Sequence, residues 1–241
     1  MKKFGVIGFP IKHSFSPGYF AQKFADLELD DCEYQAYEIE DLKKLKALVK
    51  KEKLSGFNVT IPHKQSIIPM LKSLSNAAKA IGAVNTVSVT AEGWFGDNTD
   101  FIGFRKSLSK LKGSKRHTAL IFGTGGSSKA VKYALQQLGI QYSTVSRGPM
   151  AEYSYAYLTE KEIAGHSILI NTTPLGSPAM EDECVSIPYN AINANHICYD
   201  LIYKPEESLF LKKAKEKGAT IKNGLEMLQI QADESWKIWN I

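Results

Sequence analysis

Cysteine is scarce in this chain of 241 residues: Cys32, Cys184 and Cys198 are the only three. They are too few and too scattered for a disulfide framework, and no two have the CxxC spacing of a metal site. Reduced, unpaired thiols in a cytosol are the expectation. Long apolar runs are lacking too. Nothing approaches the ~18 apolar residues a membrane helix needs. The opening run Phe4-Gly5-Val6-Ile7 is broken by Gly8, Pro10 and Lys12 too soon to form the core of a secretory signal. No membrane partner and a cytoplasmic location are therefore expected. Internal repeats and low-complexity segments are missing. The polar clusters hold no Ser-His-Asp grouping and no metal-ligand spacing, so no metal is expected. Nor is charge strongly one-sided, since 30 Lys and Arg against 25 Asp and Glu leave a net +5. The dense basic run over 43–53 alternates with Leu42, Leu45, Leu48 and Val49 at helical spacing. It reads as the solvated face of an amphipathic helix rather than a nucleic-acid patch. No nucleic-acid partner is expected, while the mild positive balance suits an anionic substrate and an anionic cofactor.

What is present is an alternation of periods. Over the first hundred residues, strands are predicted at 3–9, 34–39 and 56–61, with helices at 17–27 and 42–51. Ile67, Ile68, Leu71, Leu74, Ala78 and Ile81 follow the spacing of a further helix with one buried face. Residues 84–89 and 94–96 read as a hairpin across Ala91-Glu92-Gly93. A second pattern begins near Lys115. The strand at 118–122 is apolar without alternation, as in a sheet covered on both faces. A helix at 129–138 closed by Gly139 follows, then strands at 141–146, 167–171, 197–202 and 220–221, a helix near 208–217, and a terminal amphipathic helix at 225–239. Alternating strands and helices argue for a parallel sheet. Two α/β domains are expected, divided between Asp100 and Lys115.

Gly123-x-Gly125-x-x-Ser128 follows a strand and opens a helix, the context in which such a motif binds a dinucleotide. The first glycine makes the tight turn and the second lets the backbone approach a pyrophosphate, which sits at the helix N-terminus. Ser128, in place of a third glycine, is small enough to pack helix against strand. An NAD enzyme places an acid at the end of the next strand for the ribose 2′-hydroxyl. Here that strand ends Ser146-Arg147-Gly148, without an acid. Arg147 offers a planar cation suited to a 2′-phosphate, and Ser146 adds a hydroxyl. NADP is the expected cofactor. The plainer reading is a simple strand–helix turn followed by a solvated arginine.

Four ordered stretches of the first hundred residues carry a family resemblance. Gly8-Phe9-Pro10-Ile11-Lys12-His13-Ser14-Phe15-Ser16-Pro17 resembles the G-x-P-x-x-H-S-x-S-P opening of shikimate dehydrogenases. Phe57-Asn58-Val59-Thr60-Ile61-Pro62-His63-Lys64 is similar to their F-N-V-T-x-P-x-K stretch. Gly82-Ala83-Val84-Asn85-Thr86 and Asn98-Thr99-Asp100 match their G-A-x-N-T and N-T-D motifs. The likeness continues through the Gly123 turn, Asn171-Thr172-Thr173-Pro174-Leu175-Gly176, Asp200-Leu201-Ile202-Tyr203-Lys204-Pro205 and the stretch from Gly224 to Ala232, essentially the whole chain.

The resemblance implies an α/β fold of two domains. These are an N-terminal substrate domain (1–102) and a Rossmann-like NADP-binding domain (103–224), with the C-terminal helix (about 225–241) returning to the first. It implies reversible NADPH-dependent reduction of 3-dehydroshikimate to shikimate, in aromatic amino acid biosynthesis, by a monomer or homodimer. Lys64 and Asp100 would be the catalytic pair, and Ser14, Ser16, Asn58, Thr60, Asn85, Tyr203 and Gln231 the substrate-binding set. Cofactor contacts would fall on Gly123, Thr124, Gly125, Gly126, Ser127, Ser146, Arg147, Thr172, Leu201 and Gly224. A small polyhydroxy acid has little apolar surface, so its recognition needs many convergent hydrogen bonds, and these residue types supply them. Without the resemblance, Lys64 reads as a surface lysine at a helix start and Asp100 as an N-cap. Asn58 and Thr60 then read as strand residues and Gln231 as one polar helix position, and His13 reads as structural in either case. The chain departs from the family in three places. Tyr19-Phe20 replaces the usual His-Asn pair, Ser146-Arg147-Gly148 replaces N-R-T with two partners of the arginine lost, and the loops over 147–167 are short. Two alternatives stay open, a quinate/shikimate dehydrogenase of broader specificity and a non-catalytic nucleotide-binding paralogue.

Overall fold

The computed structural model describes residues 1–11, 14–111, 113, 117–149 and 151–240. His13 and Lys115, named above, lie outside the described residues. The chain forms two compact units, Met1–Asp100 with the C-terminal stretch from Gln229, and Phe101–Leu228. No helix among the described residues is long and apolar enough to cross a membrane.

The first unit runs β1 (Lys2–Gly8), α1 (Ser16–Asp26), β2 (Cys32–Glu38), α2 (Leu45–Glu52), β3 (Leu54–Val59), β4 (Ser73–Leu74), α3 (Asn76–Ile81), β5 (Thr86–Thr90) and β6 (Gly93–Asp97). Among the described residues its sheet has the order β2-β1-β3-β5-β6-β4. β1 is parallel to β2 and β3, whereas β3–β5 and β5–β6 are antiparallel. The β5–β6 pair is the expected hairpin.

The helix expected from Ile67 to Ile81 is a correction. A short 3₁₀ turn (Ile68–Met70) and the two-residue β4 occupy its first half, and only Asn76–Ile81 is α-helical. Pro69 supplies no amide donor to the preceding turn, and the chain turns extended at Leu71. Ser75 then caps a new helix by accepting from Ala78 N at 3.1 Å. Ile67, Ile68, Met70, Leu71 and Leu74 still face one core, with Phe57, Val59 and Val87, so burial was read correctly and its periodicity misassigned.

The second unit contains α4 (Asp100–Ser109, whose first residue belongs to the first unit), β7 (Thr118–Phe122), α5 (Gly126–Gln137), β8 (Gln141–Ser146), β9 (Tyr153–Ser154), α6 (Glu160–Ala164), β10 (Ile168–Asn171), β11 (Ile197–Asp200), α7 (Leu209–Glu216) and β12 (Thr220–Lys222). The terminal helix α8 (Leu225–Trp239) starts in it. The sheet order is β12-β11-β10-β7-β8-β9, and every pair is parallel. One face packs Ala119, Ile121 and Ile170 against Val131, Ala134 and Leu135 of α5. The other packs Leu120, Phe122 and Leu169 against Phe210, Leu211 and Ala214 of α7. Burial on both faces is why these strands show no polar alternation. The order reverses between β7 and β10, so the crevice past the carboxyl ends of those two strands is a topological switch point, where ligands of open α/β sheets bind. Over 147–167 the short connection holds two small elements, β9 and α6. Both are too short to show a period, and α6 is announced only by its capping box, Thr159 with Glu162.

Candidate active site

Lys64 and Asp100 meet although 36 residues separate them. The loop after β3 carries Lys64, whose carbonyl accepts from Val84 N at 2.7 Å. Asp100 opens α4, where the helix N-terminus favours a carboxylate. Lys64 Nζ donates to Asp100 Oδ2 at 2.6 Å, and the two side chains are 14% and 8% exposed. The pair is largely dry, so its charges act on each other and on any group beside them more strongly than in water.

Asn85 orders the carboxylate from the other side. Its Oδ1 accepts from the backbone N of Thr99 at 2.6 Å, a donor that cannot reverse, and this fixes the orientation of the amide. Asn85 Nδ2 is thereby aimed at Asp100 Oδ1 (2.8 Å), Thr99 Oγ1 (2.9 Å) and Gln231 Oε1 (3.0 Å). Gln231 comes from α8, whose residues from 229 onward belong to the first unit. Lys64, Asn85, Asp100 and Gln231 thus converge, as the resemblance implies.

Asn58 is placed differently. It is buried, its Nδ2 reaches Asn85 O at 3.0 Å and Ser235 Oγ at 2.9 Å, and its Oδ1 accepts from Tyr34 OH at 2.7 Å. Burial drives the Tyr34 phenol far above its ordinary range, with Ser16 pulling the other way, so this hydroxyl is a neutral donor. Thr60 is half-buried after β3, its N bonded to Ile7 O at 2.9 Å. Ser14 and Ser16 lie together at the start of α1, with Ser16 N 3.4 Å from Ser14 Oγ.

Sequence reasoning missed the residue that ties these loops together. Ser235, fully buried on α8, lies 2.7 Å from Thr86 Oγ1 and 3.1 Å from Thr99 Oγ1, and donates to Gln231 O at 2.9 Å. Its one sequence signal is the four-residue step from Gln231, which puts both on one helix face. The Tyr19-Phe20 departure also acquires a reason. Tyr19 OH and Lys23 Nζ both reach Asp233 Oδ1 of α8 at 2.7 Å, while Phe20 stacks on Tyr34 with centroids 4.2 Å apart. Both residues hold the helix that presents Gln231 and Ser235.

The other expected positions lie in the second unit. Gly123 follows β7 with φ +106°, and a side chain there would stand 2.7 Å from Thr172 Oγ1. Thr172 Oγ1 itself donates to Phe122 O at 2.6 Å. Thr124 and Gly125 are exposed, Gly126 and Ser127 half-buried. Gly125 is the N-cap of α5 and has no side-chain cap, and the space where its side chain would be is open to 4 Å. Bare amides at a helix N-terminus beside open space suit a pyrophosphate, so these residues fit a dinucleotide. Arg147 is exposed after β8. Ser146 Oγ, in contrast, accepts from Gly148 N and lies near Gly148 O, each at 3.1 Å. Leu201 and Gly224 pack together closely, and Tyr203 is half-buried between β11 and α7.

A substitution at Gly125 separates ligand binding from folding. Its φ of −75° with ψ −173° is ordinary extended backbone, so Gly125→Ala is expected to melt within about 0.5 kcal/mol of wild type. The added methyl blocks backbone approach to the pyrophosphate. NADPH affinity, followed by fluorescence titration, should fall at least about tenfold, and an unchanged affinity would remove the turn from the cofactor site.

Asp200, the last residue of β11, gives the unit a pH dependence. Burial pushes its carboxyl up to about 6, against hydrogen bonds from Ser208, Ile202 and Asn171 that lower it. A folded value above the ordinary ~3.9 means that the neutral form favours folding. The contribution is complete below pH ~4 and lost as pH rises through about 6, a difference of roughly 3 kcal/mol. Asp200→Asn retains a neutral side chain at every pH. Its urea-unfolding stability should match wild type near pH 4 and exceed it at pH 7.5, and equal stabilities at both would refute this.

Comparison with known proteins agrees with the geometry. Residues 6–87 match the family model of the shikimate dehydrogenase substrate binding domain. The shikimate dehydrogenase (NADP(+)) of Staphylococcus aureus is 38% identical over 249 residues, spanning 98% of this chain and 92% of that one. The crystal structure of shikimate dehydrogenase from Aquifex aeolicus superposes with a TM-score of 0.90 at 38% identity, covering 100% of this chain and 92% of that one. Shikimate 5-dehydrogenase from Thermus thermophilus, crystallised in complex with NADP(H) and shikimate, superposes with a TM-score of 0.88 at 30% identity over 99% of this chain and 93% of that one. Such likeness along nearly the full length of each relative leaves one conclusion: this chain belongs to the shikimate dehydrogenase family.

Proposed function

We propose that this chain catalyses the reversible NADPH-dependent reduction of 3-dehydroshikimate to shikimate. The observation that carries this reading is the buried Lys64–Asp100 pair, 2.6 Å apart, set against the amides of Asn85 and Gln231. Negative charge grows on the C3 oxygen of the substrate as its carbonyl is reduced. A Lys64 ammonium beside that oxygen stabilises the charge and donates the proton, and in the oxidation direction the same nitrogen takes it. Asp100 holds the ammonium in place, and Asn85 holds Asp100. The ring hydroxyls and carboxylate fall to Ser14, Ser16, Thr60, Asn85 and Gln231, all of the first unit. Asn58, its amide held in place by Tyr34, Asn85 and Ser235, belongs to the same set. When bound, NADP supplies or takes the hydride at C3. The bare N-terminus of α5 from Gly123 to Ser127 would hold its pyrophosphate and Arg147 its 2′-phosphate, with Ser146, Thr172, Leu201 and Gly224 shaping the crevice.

A site built of buried polar groups rejects an analogue that leaves one unpaired by large factors. Initial rates with shikimate and quinate, each with NADP⁺ and NAD⁺, test the assignment. Shikimate with NADP⁺ is expected to give the highest kcat/KM. Comparable values for quinate would indicate the broader enzyme, and no turnover in any combination would overturn the proposal.

A further inference from the structure

Two buried side-chain oxygens, Ser128 Oγ and Tyr155 OH, have no hydrogen-bond partner among the described residues. A buried hydroxyl without a partner forfeits about 1–3 kcal/mol, so each calls for a reason. Ser128 lies inside α5, on the helix face turned to the sheet. Tyr155 lies at the carboxyl edge of the sheet, beside the crevice.

Register places it there. β9 runs parallel to β8 with Val145 opposite Tyr153 and Ser146 opposite Ser154. One residue further on, Tyr155 falls beside Arg147. Tyr155 opens the 3₁₀ turn that follows β9, and its side chain packs with Val145 and Tyr153 in one apolar cluster. On its other side the Tyr155 ring stacks on Phe122, with centroids 6.4 Å apart and planes at 27°. Phe122 is the last residue of β7, immediately before the Gly123 turn. The Tyr155 ring therefore sits between the segments that carry Gly123 and Arg147. Burial pushes the phenol up to about 12, with the Arg147 charge acting in the opposite sense, so the group is an O–H donor at neutral pH with a guanidinium within electrostatic reach.

The neighbouring polar groups are already committed. Ser146 Oγ is taken by Gly148 at 3.1 Å. Glu152, the acid of this loop, accepts from Thr144 N at 2.8 Å and from the Thr144 hydroxyl. Arg147 has thus lost the two flanking partners of the N-R-T pattern, and Ser146 does not replace them.

We propose that the Tyr155 hydroxyl is the second group, with Arg147, that grips the 2′-phosphate of NADP, and that it thereby sets the preference for NADP over NAD. The inference rests on the cofactor reading above. A phosphate dianion presents three acceptor oxygens, enough for a planar cation and a neutral donor together.

Tyr155→Phe removes one oxygen and leaves the ring on Phe122. The chain without ligand should melt at or above the wild-type temperature, because an unpartnered buried hydroxyl has been removed. Affinity for adenosine 2′,5′-bisphosphate and for NADPH, measured by calorimetric titration, should fall about tenfold. Affinity for adenosine 5′-diphosphate and for NADH should stay within about twofold. Arg147→Ala should weaken the same two ligands, and the double variant should lose less than the sum of the two effects. Equal weakening of phosphorylated and unphosphorylated probes would overturn the proposal, as would no weakening of either. Wild type binding neither NADPH nor the bisphosphate would instead overturn the cofactor reading itself, a result visible before any variant is made.

Discussion

Lys64→Ala is expected to lower kcat for shikimate oxidation by about 10²–10⁴-fold, the usual range for loss of a general acid–base. NADPH affinity is expected to stay within about twofold, since the residues assigned to the cofactor lie elsewhere in the chain. The magnitude follows from the surroundings of the ammonium. With 14% of its side chain exposed, Lys64 acts where water can neither deliver the proton efficiently nor screen the growing oxyanion. Its removal leaves the Asp100 carboxylate with Asn85 Nδ2 at 2.8 Å and the favourable end of α4, which offset part of the ~3 kcal/mol expected for breaking the pair, so kcat is read on protein shown to be folded. Lys64→Met, which keeps most of the volume, should show the same loss of kcat. Near-normal kcat in either variant would move proton transfer to another group.

Asp100→Asn is the second large effect, and it falls on stability as well as rate. The change keeps an acceptor for Asn85 but sets an amide NH₂ or a neutral oxygen where a carboxylate met Lys64 at 2.6 Å. Breaking a buried pair by neutralising one partner costs about 3–5 kcal/mol, because the remaining charge loses its compensation. The 8% exposure of Asp100 leaves little room for water to make up the difference. Urea unfolding should show a loss of about 3 kcal/mol, and kcat should fall by about 10²-fold or more. A variant within about 0.5 kcal/mol of wild type would mean that the pair is solvated in solution.

Much of this was legible in the sequence wherever local chemistry and tertiary structure agree. β7 and β8 occupy the spans read from their apolar runs, Thr118–Phe122 and Gln141–Ser146, and α8 occupies Leu225–Trp239. Gly139, with φ +66°, ends α5 where a glycine stop was expected. Ile67 to Ile81 is not one helix because helical spacing of apolar residues reports burial, not conformation, and Pro69 interrupts the run. β9 and α6 escaped because two residues and five residues carry no measurable period. In the site, the motifs gave residue types in order but not their partners. That Lys64 Nζ meets Asp100, or that Ser235 binds Thr86 and Thr99 149 and 136 residues away, depends on loop closure and helix docking that no local pattern encodes. Asn58 shows the limit most plainly. Its place in a motif suggested contact with a ligand, and no local pattern announced its hydrogen bonds to Tyr34 and Ser235.

The central claim is hydride delivery to C3 of the substrate. It is tested most directly by incubating the purified chain with 3-dehydroshikimate and NADPH deuterated at both C4 positions of the nicotinamide, then examining the product by proton NMR. Shikimate carrying one deuterium at C3 is expected, with the same product formed at least about 10²-fold more slowly by Lys64→Ala. Unlabelled shikimate, label at another carbon, or recovery of unreacted 3-dehydroshikimate would contradict it.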